Sequence, residues 1–227
     1  FTGLQTADEA GGRQTEAGET PLNIRTTIDL DVQRFVESAL DEAGVQKGAA
    51  VVLDIENGDI LAMASRPDFD PRNVQPALGT WNNLAVKQTI PGSVFKMVVA
   101  AAALEEGLVD MHTLFYCSGA WDLHHITCWK KEGHGMLTFA DAFAQSCNVA
   151  FAQLAVQLGG DKLEQYAERL GLLAPVGWRA AALFKVSPFS QIDGEDPGQL
   201  FAPGTPRNDG GVLAQTAIGQ RDVQITP

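Results

Sequence analysis

A serine and a lysine one helical turn apart are the first residues in this chain that could carry out a reaction. Ser93 and Lys96 lie in the stretch 91–96, which reads Pro-Gly-Ser-Val-Phe-Lys. The apolar residues that follow predict a buried helix from Ser93 to Glu106, ended by Gly107. Unpaired N–H groups at the start of such a helix would stabilise a serine alkoxide or a tetrahedral oxyanion. Burial lowers the pKa of a lysine, so Lys96 could accept the proton of Ser93.

The second group is Ser146-Cys147-Asn148, at the junction of two predicted helices. From a turn, the hydroxyl of Ser146 and the amide of Asn148 could point into one cleft. Ser146 could then relay a proton, and Asn148 could hold a substrate carbonyl and bind Lys96. Each group also has a simpler interpretation. Ser93, Ser146 and Asn148 could be helix caps, and Lys96 could extend to solvent.

The elements that must position these residues predict an α+β fold. A helix capped by Asp29 is followed by two apolar β-type runs around Asn57-Gly58, a strong hairpin signal. Because both runs are almost continuously apolar, we expect the hairpin to be buried on both faces. A block of helices follows, predicted at about 139–145 with Thr138 and Asp141 as a capping box, at 148–158, and at 161–171 with Asp161 and Glu164 as caps. Strands and helices that occur in separate blocks of the sequence are typical of helices packed on an antiparallel sheet. Two strands alone do not make a stable sheet, so we expect further strands to complete it.

Together the two reactive groups resemble the signature of penicillin-interacting serine enzymes. The chain is similar to the transpeptidase domain of class B penicillin-binding proteins over about residues 25–171 and 213–227. The matching segments are Arg25–Asp29 with Gln33, Gly48–Ser65, Asn83–Ala85 with Gln88, Pro91–Lys96, Cys128–Lys130, Gly133–Gly135, Ser146–Asn148, Ala217–Gln220 and Thr226–Pro227. They occur in the order that the family has.

The resemblance implies a peptidoglycan D,D-transpeptidase of the transpeptidase and serine β-lactamase-like fold, with an antiparallel sheet packed between helices and a helical subdomain. Ser93 would be the acylated nucleophile and Lys96 its general base, with catalytic Ser146 and substrate-binding Asn148 on the opposite wall. The implied substrates are D-Ala-D-Ala stem peptides and an acceptor amine, and β-lactams would acylate the same serine. No metal or organic cofactor is implied. The implied setting is the extracytoplasmic face of the bacterial membrane, with a membrane anchor in the parent protein and other cell-wall synthesis membrane proteins as partners.

The sequence departs from the usual sequence of the family in two places. Residues 172–212 do not match the family's usual sequence. The third motif of the family, Lys-Thr-Gly or Lys-Ser-Gly, is absent from the 227 residues. We therefore expect residues 1–24 to be a linker or extended arm and residues 25–227 to be a transpeptidase domain that lacks its C-terminal strands. A fragment limited to this chain would then have low activity, because the missing motif supplies the carboxylate anchor and part of the oxyanion hole.

The cysteines and histidines leave three alternatives open. Cys117 and Cys128 lie in one loop with His124, His125 and His134. A disulfide between the two cysteines, free thiols, or a zinc site are each compatible with this sequence, although the spacing matches no compact zinc motif. Cys147 is interpreted as a small buried filler, and His134, between two glycines, as a residue that shapes a turn.

Composition and charge exclude some classes of function. With 45% apolar residues the chain can form a packed core, and its net charge of −12 disfavours nucleic acid as a partner. Its most apolar run, Met97–Leu104, is too short to cross a bilayer. Two other functions stay open beside transpeptidation: a serine β-lactamase or β-lactam sensor, and a non-catalytic scaffold domain of a cell-wall synthesis complex.

Overall fold

The computed structural model describes residues 25–73, 81–181 and 188–227. The predicted linker, residues 1–24, lies outside the described residues. Among the latter, two compact units are distinct. The first contains residues 25–73, 81–87, 177–181, 188–195 and 227, and the second contains residues 88–176 and 196–226.

The first unit contains the predicted helix and hairpin. Helix α1 spans Leu30–Glu42, and the Asp29 carboxylate accepts from the backbone N–H groups of Asp31 and Val32, which confirms the cap. Strands β1 (Gly48–Leu53) and β2 (Ile60–Arg66) pair antiparallel, as predicted.

The expectation that both faces of the hairpin are buried is wrong for the described residues. Helix α1 packs on β2, and Val36, Ala62 and Ala64 form a small core. The residues of β1 are only half-buried or exposed, because α1 covers one face of the hairpin. Arg66 is buried at the end of β2, where Asp41 Oδ1 lies 2.7 Å from its guanidinium. A short pair of strands, β7 (Arg179–Ala180) and β8 (Phe189–Ser190), completes this unit.

The second unit is mainly helical and contains every residue of the predicted reactive groups. Its helices are α2 (Lys96–Glu105), α3 (Phe139–Ala144), α4 (Asn148–Leu158), α5 (Gly160–Arg169) and α6 (Gly210–Ala217). Helix α4 lies at the centre and packs on α2, α5 and α6, so its residues from Val149 to Ala152 are buried. Two antiparallel strand pairs flank the helices: β3 (Leu114–Cys117) with β6 (Gly135–Thr138), and β4 (Ala120–Trp121) with β5 (Ile126–Thr127).

Two helix starts differ from the sequence prediction. Helix α2 begins at Lys96, and Ser93 lies in a 3₁₀ turn, Gly92–Phe95, because Pro91 and the positive φ of Gly92 tighten the chain there. Helix α5 is preceded by Gly159, so Asp161 lies in its first turn and Glu164 forms an ion pair with Arg207 instead of capping.

Other details of the helical block agree with the sequence. The predicted capping box of α3 is present, with Thr138 and Asp141 bonded reciprocally. Helix α4 has the predicted bounds. Helix α2 is buried over most of its length, as predicted, although the side chains of Met97 and Leu104 are exposed. In the described part of the chain, no helix has the length and apolar character needed to cross a membrane.

Candidate active site

Lys96 is the centre of the candidate site. Its side chain is 2% exposed, so the alternative in which it extends to solvent is wrong. Its Nζ lies 3.2 Å from Ser93 Oγ, 2.9 Å from both Ser146 Oγ and the Ser146 carbonyl oxygen, and 2.6 Å from Asn148 Oδ1. The structure therefore brings together all four residues that the sequence singled out, although they come from two segments 50 residues apart.

The number of contacts limits what the amine can do. Asn148 Nδ2 donates to the Thr127 carbonyl at 2.9 Å, so Asn148 Oδ1 faces Lys96 as an acceptor. The Ser146 carbonyl is also an acceptor only. Two N–H bonds of Lys96 are thus committed, and one tetrahedral position remains for the two hydroxyls. In the neutral amine that position is a lone pair, which can accept a proton from Ser93 or exchange one with Ser146.

The surroundings of Lys96 favour this neutral form. Burial lowers the pKa of Lys96 to about 8, and the nearby thiols of Cys128 and Cys147 act in the opposite direction. The ring of Phe151 lies 5.8 Å from Nζ and forms part of the apolar surroundings. At that pKa roughly a tenth of Lys96 is the free base at pH 7, far more than for an exposed lysine of ordinary pKa.

The local backbone explains how the two serines reach the amine. Ser93 is exposed in its 3₁₀ turn, one turn before Lys96, so its hydroxyl is open to a substrate. Ser146 has a positive φ of 52°, which is uncommon for a residue other than glycine. This conformation turns both its hydroxyl and its carbonyl towards Lys96. The N-cap position of α4 is Cys147, so Ser146 and Asn148 are not helix caps.

A backbone contact behind the 3₁₀ turn of Ser93 was not visible in the sequence. Gly92 N–H donates to the Gly219 carbonyl at 3.0 Å, and Gly219, with φ 65°, follows α6. A Cβ at Gly219 would lie 2.0 Å from the Gly92 carbonyl oxygen. Just before this turn in the chain, Thr89 and Ile225 exchange two hydrogen bonds of 2.9 Å. These contacts fix the strand-like segment that leads into Ser93.

A cluster of three cysteines and one histidine lies beside this site. One ligand-type atom from each of Cys117, Cys128, His134 and Cys147 lies within 4.8 Å of the others. The three thiols are free and buried, so the structure contains no disulfide between Cys117 and Cys128. Burial raises the pKa of Cys147 to about 12 and lowers the pKa of His134 below its usual value. Cys147 is buried as predicted, but its neighbours are sulfur atoms, which spacing in the sequence could not show.

Comparison with known proteins identifies the family. The family model for the penicillin binding protein transpeptidase domain matches residues 48–227. The chain belongs to this family.

Two curated relatives of this transpeptidase domain illustrate the similarity. It is 36% identical over 219 residues to the stage V sporulation protein D of Bacillus subtilis, which covers 91% of the chain and 31% of that protein. It is 30% identical over 252 residues to the peptidoglycan D,D-transpeptidase PbpA of Mycobacterium tuberculosis, covering 99% of the chain and 47% of that protein. The chain therefore spans less than half the length of either relative.

The fold of the transpeptidase domain agrees with solved structures. The crystal structure of Pseudomonas aeruginosa PBP2 superposes with a TM-score of 0.73 at 25% identity, over 88% of this chain and 48% of that one. The α+β class predicted from the order of the elements is confirmed.

Proposed function

We propose that this chain is the catalytic part of a peptidoglycan D,D-transpeptidase and that Ser93 is its acylated nucleophile. The observation that carries the proposal is the position of Lys96, a buried amine within hydrogen-bond reach of both Ser93 and Ser146. The naming of relatives as D,D-transpeptidases supports it.

Acylation begins with transfer of the Ser93 hydroxyl proton to the lone pair of Lys96 Nζ. As the proton leaves, Ser93 Oγ attacks the carbonyl carbon of the penultimate D-Ala and a tetrahedral oxyanion forms. Collapse of that oxyanion breaks the C–N bond. The proton on Lys96 passes through the Ser146 hydroxyl to the nitrogen of the departing D-Ala, which leaves an ester on Ser93 and a neutral amine on Lys96.

Deacylation uses the same groups in reverse. An amine of a second stem peptide attacks the ester carbonyl and gives its proton, through Ser146 and Lys96, to the departing Ser93 oxygen. Asn148 has two roles in the proposal. Its amide oxygen accepts from Lys96 and orients the amine, and an N–H of its amide donates to a substrate carbonyl. β-Lactams resemble the dipeptide and acylate Ser93 in the same way, without the deacylation that follows with a stem peptide.

The proposal includes the setting of the reaction. Peptidoglycan lies outside the cytoplasmic membrane, so we place the domain on that face, with other cell-wall synthesis membrane proteins as its partners. Residues 25–227 are proposed to form one part of the transpeptidase domain.

Covalent labelling tests the assignment of Ser93. The full-length protein is incubated with a fluorescent penicillin and separated on a denaturing gel. We expect one labelled band that disappears in Ser93→Ala and persists in Ser190→Ala, a control that removes a hydroxyl outside the site. Labelling that survives Ser93→Ala in a folded protein contradicts the proposal.

The lifetime of the label separates transpeptidase from β-lactamase. We expect the acyl-enzyme to persist for minutes to hours after free penicillin is removed, because a penicillin-binding protein releases its acyl group slowly. Rapid turnover of penicillin by the full-length protein would instead support the β-lactamase alternative.

A further inference from the structure

Ser146 occupies a position at the end of α3 where glycine is the usual residue. The C-cap residue of α3 is Gln145. Ser146 N–H donates to the Phe143 carbonyl at 3.0 Å and Cys147 N–H donates to the Ala142 carbonyl at 2.8 Å, which are the two bonds of a Schellman motif. The residue after the cap is left-handed in this motif, and glycine is favoured there because a Cβ strains the backbone. A serine with φ 52° therefore needs its conformation held by its surroundings.

Four hydrogen bonds fix the two peptide groups that flank Ser146. Because a peptide group is planar, the orientations of these two planes set φ and ψ of the residue between them. Both N–H groups are bonded to carbonyls of α3. On the other edges, Lys96 Nζ donates to the Ser146 carbonyl at 2.9 Å, and Trp129 Nε1 donates to the Gln145 carbonyl at 2.9 Å. Of these four bonds, the one from Trp129 comes from a side chain outside the reactive group.

Two contacts hold Trp129 beside this turn. It lies two positions after Thr127, whose carbonyl accepts from Asn148 Nδ2 at 2.9 Å. The segment that carries Trp129 and the turn after α3 are thus tied twice, with a donor on each side. The indole also packs edge-on against the ring of His134, with 5.3 Å between the centroids, which restricts its orientation. The indole N–H therefore reaches the Gln145 carbonyl from a defined position.

The exposure of this bond indicates a role in geometry and not in stability. The side chain of Trp129 is 64% exposed, and Gln145 is exposed as well. If the bond is lost, water can bond to both partners, so the net effect on the free energy of unfolding is small. A mobile water does not fix the direction of the Gln145 carbonyl, so the orientation of the peptide is lost while the fold is retained.

We propose that Trp129 is a positioning residue of the acylation reaction, whose indole N–H holds the peptide between Gln145 and Ser146 and thereby keeps the Ser146 hydroxyl 2.9 Å from Lys96 Nζ. The proposal rests on the role of Ser146 in the proposed function, in which the proton on Lys96 passes through that hydroxyl to the departing nitrogen. Trp129 itself gains and loses no proton. Without its bond, the hydroxyl leaves the path of the proton and the C–N bond breaks more slowly.

Removal of the indole N–H is the primary test. Trp129→Phe in the full-length protein keeps an aromatic ring and removes the donor. We expect the rate constant of acylation by a fluorescent penicillin to fall about tenfold, with the noncovalent affinity and the Tm close to those of the parent protein. The dependence of the observed rate on penicillin concentration separates the two steps. Unchanged acylation overturns the proposal, as does a loss confined to affinity.

Trp81→Phe is the matched control. Trp81 belongs to the first unit and is also exposed, at 44%. Its replacement removes an indole N–H from the protein without touching the turn after α3, so acylation should be unchanged. An equal loss in Trp81→Phe and Trp129→Phe contradicts a specific role of Trp129.

A double-mutant cycle shows whether Trp129 acts through Ser146. In a Ser146→Ala background the hydroxyl is absent, so Trp129→Phe should change the acylation rate constant less than about twofold. An equal loss in both backgrounds overturns the proposal, because Trp129 would then act on the substrate or on another group. Normal acylation by Ser146→Ala contradicts the proton relay of the proposed function and the role of Trp129 with it, whereas normal acylation by Trp129→Phe contradicts only the role of Trp129.

A crystal structure of the Trp129→Phe variant decides if Ser146→Ala acylates too slowly to be measured. We expect Ser146 Oγ to have moved away from Lys96 Nζ by about 1 Å or more, with the remaining contacts of Lys96 retained. A hydroxyl that stays within hydrogen-bond distance of Lys96 in the variant overturns the proposal.

Discussion

At the scale of single residues, the site depends on how many partners one amine can satisfy. Four oxygen atoms lie within 3.2 Å of Lys96 Nζ, and two of them can only accept hydrogen bonds. The remaining position is shared by the hydroxyls of Ser93 and Ser146, so the three groups can pass one proton among themselves. A lysine in this position acts as a base only when it is neutral, which makes its pKa the controlling quantity.

The pH dependence of acylation follows from that pKa. Burial lowers the pKa of Lys96 to about 8. The fraction of neutral amine rises as pH increases through the pKa, so the second-order rate constant for β-lactam acylation should rise with pH and level off above about 8. Stopped-flow measurements of acylation between pH 6 and pH 9 check this.

The titratable groups that face Lys96 define the controls for this measurement. The thiols of Cys128 and Cys147 raise its pKa when charged, so the thiols must be kept reduced in every sample. A flat profile across this pH range would show that the proton of Ser93 is not taken by a group that titrates near pH 8.

At the scale of elements, the 3₁₀ turn of Ser93 is held by backbone contacts with the segment that follows α6. Gly92 donates to Gly219, and the two backbones approach so closely that a methyl group on Gly219 cannot be accommodated without movement. The helix α6 itself packs on α4, which begins with Asn148. The elements that carry the two halves of the site are thus connected through α6.

Replacing Gly219 tests whether this contact positions Ser93. We expect Gly219→Ala to reduce the rate constant of β-lactam acylation about ten- to a hundredfold with a smaller effect on noncovalent β-lactam affinity, because the added Cβ displaces the Gly92 carbonyl. The acylation step and the preceding binding step are separated by the dependence of the observed rate on β-lactam concentration.

Gly107→Ala is the matched control for that variant. Gly107 also follows a helix and has nearly the same φ, 67° against 65°, but a Cβ there meets no atom within 4 Å. Both variants carry a similar backbone strain of about 1 kcal/mol. Equal losses of acylation in the two variants would show that Gly219 acts only through stability.

At the scale of the whole molecule, the paired carboxylates set the response to acid. The chain has 28 acidic and 16 basic residues. Several carboxylates are paired within the second unit. Arg169 hydrogen-bonds Glu105, Lys162 hydrogen-bonds Glu106, and these bonds hold the pKa of both carboxyl groups below 4.5.

Acid should therefore destabilise the fold. A carboxyl group whose pKa is lowered by folding contributes stability that is complete above its unfolded pKa and is lost as pH falls through the folded value. We expect the Tm to fall as pH decreases from about 5 to about 3. Differential scanning calorimetry should show a shallower decline in Glu106→Gln and an unchanged one in Glu56→Gln, an exposed carboxylate of the other unit. Equal slopes in all three proteins contradict the assignment to the Glu106 pair.

Some features of this protein were determined by local sequence. The cap at Asp29, the hairpin around Asn57-Gly58 and the capping box at Thr138 depend on residues a few positions apart, so their energies are decided before the chain packs. The residues Ser93, Lys96, Ser146 and Asn148 could be selected in advance because their types and order match a chemical requirement.

Other features were decided only by the tertiary structure, because they depend on contacts between distant segments. Sequence spacing could not show that Cys147 lies beside Cys117 and Cys128, that Thr127 orients Asn148, or that Gly219 supports the turn of Ser93. Loop closure brings these groups together, and packing of α4 against its neighbours holds them there. The chemistry of the residues is thus present in the sequence, while their distances, burial and pKa values are properties of the fold.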